Sequence, residues 1–157
     1  MKTLKWSTQS DLCQSVLSKS GGLFHFQGEA IPFALSLVTT PQRGASPSPS
    51  STSGGHFLWI SDEGFLNPAA LVARRVELPL SRLIIITPPN AKESWSCAIE
   101  AAQSGLFSYI LFRPSQTCQG STGRILQLAS EKSATCVLIL APVVLPHWVL
   151  KASIEGA

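Results

Sequence analysis

The chain has 157 residues, 45% apolar and 13% charged, with a formal net charge of +3. That length suits one domain, expected over 1–157, and the charged fraction falls well below the ~25% usual in soluble domains. The sole adjacent basic pair is Arg74-Arg75, so composition gives no argument for nucleic acid as the main partner.

Direct contact with DNA is left open. A surface this poor in charge is weakly protected against association, which fits a homodimer. The four cysteines, Cys13, Cys97, Cys118 and Cys136, form no C-x-x-C pair and no Cys/His cluster with zinc spacing. Residues 1–10 are polar with no hydrophobic core, so no signal peptide is expected. The longest apolar stretch, Cys136 to Leu150, is broken by Pro142, Pro146 and His147 and is too short to span a bilayer. The expected location is the cytoplasm, without membrane contact.

In chain order, Ser10 or Asp11 caps a first helix carrying Leu12, Val16 and Leu17, which Gly21-Gly22 ends. Leu23 to Phe26 is a short strand, Gly28 turns the chain, and Ile31 to Val38 is a short apolar helix. Residues 39–55, TTPQRGASPSPSSTSGG, hold no large apolar side chain. Such a stretch cannot bury enough surface to offset its ordering entropy, so a flexible Ser/Pro-rich loop within the domain is expected.

Beyond it the pattern is regular. Phe57 to Ile60 is a strand; Asn67-Pro68 opens a helix that ends near Arg75. Leu83 to Thr87 is a strand whose unbroken apolar run predicts cover on both faces. Lys92 to Ser104 is a helix closed by Gly105, Tyr109 to Phe112 a strand, and Gly123 to Lys132 a helix. Val137 to Leu140 is a strand, and Trp148 to Ala152 is expected as an edge strand. Strands alternating with helices predict an α/β fold: a mostly parallel central sheet with helices on both faces.

A nucleotide-binding protein of this class places a glycine-rich loop with a lysine after its first strand, to cradle and neutralise phosphates. Here Gly28-Glu29-Ala30-Ile31-Pro32 follows, with one glycine, no lysine and an acid where phosphate would sit. The strand that should end in a metal-holding aspartate ends in Arg113-Pro114. The reading is a degenerate nucleotide site near Gly28, Glu29, Glu63 and Arg113, with no cofactor, no metal and no catalysis. Gly120-Ser121-Thr122-Gly123 superficially resembles a phosphate loop and is read as a loop with a helix cap. Asp62 and Glu63 follow a strand at the edge where ligands bind in open sheets; acid/base work by the pair is weighed against capping a turn or the next helix, and capping is preferred. His25, His56 and His147 show no ligand spacing, and His25, among Leu23, Phe24 and Phe26, is read as a packed or rim histidine. No G-x-S-x-G elbow occurs. The four tryptophans, Trp6, Trp59, Trp95 and Trp148, are read as core or rim aromatics, any exposed one being an interface anchor.

The middle of the chain resembles the core of bacterial RecA. The matching pieces are Ser61-Asp62-Glu63-Gly64, Leu66-Asn67-Pro68, Leu83 to Ile86, and Gln103-Ser104-Gly105 before the next strand. The resemblance implies a RecA-like core without a P-loop. It sets Glu63 at the place of the water-activating glutamate and Arg113 at that of the Walker B aspartate. Arg124 to Leu140, RILQLASEKSATCVLIL, is similar to a helix and strand of ImuA proteins, RecA-like accessory factors of the translesion mutasome. SulA, the SOS inhibitor of the division protein FtsZ, belongs to the same broad group and is close to this length. The resemblance covers roughly 12–152. It implies a noncatalytic ImuA-type adaptor of the DNA-damage response whose partners are RecA or mutasome proteins, namely an ImuB-like protein and an error-prone polymerase. The alternative it implies is a SulA-like division inhibitor that binds FtsZ.

Overall fold

The computed structural model describes residues 2–5, 21–27, 56–63, 82–140, 145–150 and 152–155. Among the described residues there are seven strands: β1 (Lys2–Lys5), β2 (Gly22–Gln27), β3 (His56–Ser61), β4 (Leu83–Ile86), β5 (Phe107–Arg113), β6 (Cys136–Ile139) and β7 (Ala152–Glu155). They form one sheet in the order β1-β7-β2-β6-β5-β3-β4, and every pairing is parallel. The α/β class with a parallel sheet is therefore as the alternation of elements predicts.

Side chains alternate between the faces of a strand, and the register lines them up across the sheet. Leu23, Val137, Ile110 and Leu58 form one row; Ile139, Phe112 and Ile60 continue the next. All seven are fully buried and belong to one core with the two described helices. The opposite face is buried as well: Phe24, Leu138, Leu111 and Trp59 stand in register across it. Burial on both faces explains why these strands read as unbroken apolar runs.

Helix α1 (Ala91–Ser104) starts where Pro88-Pro89 ends the preceding strand. Asn90 caps it, its Oδ1 accepting from the Glu93 amide at 2.9 Å, and Gly105 closes it in the left-handed region. Trp95, Ala98, Ala101 and Ala102 face inward, and the small alanines let the helix lie close to the sheet. Helix α2 (Gly120–Ser133) sends Leu126 and Ala129 into the same core. Its far end is closed by Ala134 at φ 56, with the Thr135 amide donating to the Ser130 carbonyl at 2.9 Å. Gly21, at φ +69, lies against that Ser130 carbonyl, and the Gly22 amide donates to Thr135 O at 3.1 Å. The end of α2 is thereby fastened to the start of β2.

α1 and α2 contribute to one core on one face of the sheet; the helices expected over 12–20, 31–38 and 67–75, and the loop over 39–55, lie outside the described residues. Three expectations change. β4 is paired on one side among the described strands, and Ile84 and Ile86 are exposed, because neither described helix extends over it. Gly120 to Gly123 is the first turn of α2 itself, with Gln119 as its cap residue. The expected edge strand is instead a 3-10 turn at His147–Val149, held by Pro146, and the strand over 152–155 lies inside the sheet between β1 and β2.

Candidate functional site

In a parallel sheet the carboxyl ends of the strands gather on one edge, with the amino ends of the helices above them. Here the ends of β3 and β5 and the first turn of α1 meet there. After β3 the chain bends, with Ser61 Oγ accepting from the Glu63 amide at 3.2 Å. Ser61 is buried, which fixes where Asp62 and Glu63 leave the strand.

Asp62 reaches across to the loop after β5. Its Oδ1 accepts from the Ser115 amide at 2.9 Å, and its Oδ2 accepts from the Ser115 hydroxyl. Partial burial pushes the Asp62 carboxyl up, but the Ser115 hydroxyl and amide outweigh it and hold the group below its ordinary value. The fully buried Ser94 hydroxyl, in the first turns of α1, adds a weak pull on the same carboxylate while lying outside hydrogen-bond geometry with any described partner. Beside this, Glu63 Oε2 stands 3.9 Å from Arg113 Nε, with side-chain exposures of 49% and 42%. An open pair of that length contributes little stability.

Trp95 completes the arrangement from α1. Its ring meets Phe112 edge-on, with centroids 4.8 Å apart, and its Nε1 donates to Gln116 O at 3.0 Å. The loop after β5 is therefore held at two points, by Asp62 at Ser115 and by Trp95 at Gln116, while Glu63 reaches only Arg113, the last residue of β5.

The structure thus brings Glu63 and Arg113 together, whereas Gly28 and Glu29 lie outside the described residues. Ser115, Ser94 and Gln116 join the site without any signal in the sequence; Ser115 lies 53 residues from its partner Asp62. His25 is buried in β2 and His56 is exposed at the start of β3. Among the described residues, no three His, Cys, Asp or Glu side chains gather as metal ligands would. No described helix is long and apolar enough to cross a membrane.

A second feature lies on α2. Ile125 and Leu128 are exposed, and Trp148 stands exposed on the 3-10 turn, the Arg124 guanidinium 6.0 Å from its ring centroid.

The fold resembles that of SulA. The crystal structure of SulA from Pseudomonas aeruginosa superposes with a TM-score of 0.52 at 12% identity, covering 78% of this chain and 97% of that one. At that identity the likeness concerns the fold. No protein-family model matches the sequence, and no curated protein matches it.

Proposed function

We propose that this chain is a noncatalytic, SulA-like protein of the bacterial SOS response that acts in the cytoplasm by binding FtsZ and blocking division. The observation that carries the reading is a fold likeness spanning nearly the whole of SulA. The local chemistry supports the noncatalytic part. The segment after β2 reads Gly28-Glu29-Ala30-Ile31-Pro32, without a phosphate cradle. At the carboxyl edge, Asp62 is occupied by the Ser115 amide and hydroxyl.

An inhibitor without catalysis works by occupancy. Each copy removes one assembly-competent subunit, and the extent follows the dissociation constant and the two concentrations. Purified chain titrated into FtsZ should therefore reduce polymer, measured by light scattering, in proportion to the amount added, ending near stoichiometric addition. High expression should give filamentous cells. Undiminished assembly at large molar excess, with normal division on expression, would refute the reading. Magnesium-dependent ATP binding in equilibrium dialysis would refute its noncatalytic part.

A second reading keeps a specific observation. The ImuA-like run Arg124 to Leu140 coincides with α2 and β6, the helix-then-strand order that resemblance implies. An ImuA-type adaptor would retain RecA, an ImuB-like protein or an error-prone polymerase in pull-downs and leave FtsZ assembly untouched.

A further inference from the structure

We propose that the outer face of α2, with the exposed ring of Trp148, is a docking surface for an acidic amphipathic segment of a partner protein. The proposal goes beyond the FtsZ reading and does not depend on it.

The inner side of α2 carries Gly123, Leu126 and Ala129, all buried. Arg124, Leu128 and Lys132 follow one another at one-turn spacing, and Ile125 lies within the same arc of about 100°. A solvent-facing arc is ordinarily polar. Here Ile125 is 48% exposed and Leu128 49%. Trp148 adds an indole at 58% exposure. Its backbone is anchored: Val149 is fully buried and its amide donates to Pro146 O at 3.1 Å. The Arg124 guanidinium, 6.0 Å from the ring centroid, helps hold ring and cation in place before any partner arrives. Tryptophan and arginine are the residue types that dominate binding energy at protein interfaces.

Charge identifies the occupant. Arg124 and Lys132 bracket the two aliphatic side chains, about 12 Å apart along the helix. Among the described residues neither cation enters a salt bridge. Glu131 lies at the flank, within 3.4 Å of Gln127 Nε2. Arg124 Nη1 donates to the neutral Gln127 Oε1 at 2.7 Å, which leaves its charge unneutralised. The complement of an apolar centre with a cation at each end is an apolar stripe with carboxylates at its ends. A second copy of the same face fits poorly. In a two-fold antiparallel pairing, Arg124 of one copy would face Lys132 of the other. Nucleic acid also fits poorly, because its recognition rests on many phosphate contacts and this face offers two cations around three large apolar groups.

The test uses a fluorescein-labelled amphipathic peptide with leucines at helical spacing and glutamates at the flanks, and a twin with lysines for the glutamates. Anisotropy titrations with the full chain should show saturable binding of the acidic peptide alone. Leu128→Asp and Trp148→Ala should each weaken it about tenfold or more. Arg124→Glu/Lys132→Glu should lose the acidic peptide and gain the lysine twin; this reversal also covers the case in which Leu128→Asp fails to fold. Equal binding of both peptides, or unchanged binding in the charge-reversed variant, would overturn the proposal. So would displacement of the peptide by an equimolar single-stranded oligonucleotide, or loss of a dimer in sedimentation on Leu128→Asp.

Discussion

Replacing Gly21 with alanine would set a methyl group 2.3 Å from the Ser130 carbonyl oxygen and 2.9 Å from the Ala134 Cα. Both neighbours are backbone, so no side chain can swing aside. Two costs arise. A residue with a Cβ at φ +69 is strained by about 1–2 kcal/mol. Forcing extra volume into a packed site costs about 1–3 kcal/mol more. Relief requires the end of α2 to part from the start of β2, loosening the Gly22 to Thr135 hydrogen bond of 3.1 Å. The total, about 2–5 kcal/mol, is a large share of the ~5–15 kcal/mol stability of an ordinary domain. At ~2–4 °C per kcal/mol for this size, melting should fall by about 4–20 °C. Calorimetry or circular dichroism would measure it. Ala134→Gly is the converse control: Ala134 holds φ 56, so glycine there should raise melting slightly, by relief of up to about 1 kcal/mol. A Gly21→Ala protein that melts with the parent would refute the close packing on which this reasoning stands.

Ser115→Ala removes the hydroxyl that helps hold Asp62 below its ordinary pKa. A depressed carboxyl contributes stability above its unfolded pKa and loses it as pH falls through the folded value. The stability gap between parent and variant should therefore close on acidification, and the Asp62 carboxyl should titrate higher in the variant by NMR; an unchanged titration would count against the tether. Burial pushes the Cys118 thiol up against the weaker opposing pull of backbone hydrogen bonds, and burial with nearby Glu100 and Glu93 does the same for Cys97. Both should be alkylated by iodoacetamide at mildly alkaline pH more slowly in the folded protein than in urea, and equal rates would exclude the burial. Ile154→Pro removes a ladder hydrogen bond from β7, which lies between β1 and β2. Soluble, cooperatively melting Ile154→Pro protein would contradict the position of that strand.

Four strands were legible because their rows are buried on both faces. Leu23, Leu58, Leu111 and Leu138 each sit in an apolar run that survives either choice of face. The same rule misreads β4, whose Ile84 and Ile86 are exposed, since an apolar run does not by itself show that a strand is covered on both faces. β1, Lys-Thr-Leu-Lys, has no apolar pattern; pairing with a strand some 150 residues later makes it a strand. Trp148, Val149 and Leu150 read as a strand because they are apolar. Val149 and Leu150 are apolar because they are buried beside a turn that Pro146 opens. Glu63 and Arg113 were drawn together by the RecA resemblance. Asp62 and Ser115 meet only through the parallel pairing of β3 with β5, which local sequence does not encode.

The placement of β7 bears on how the molecule comes into being. Polypeptides emerge from the ribosome amino end first. Residues 2–5 therefore wait for residues 152–155 before they find a neighbour, and one flank of 22–27 stays bare during that time. Bare strand flanks recruit other chains, and such distant pairings form slowly. A nascent chain that stalls before this strand would be sticky and open to proteases. The cellular level of the protein would then be set as much by completed translation and chaperone shielding as by its final stability.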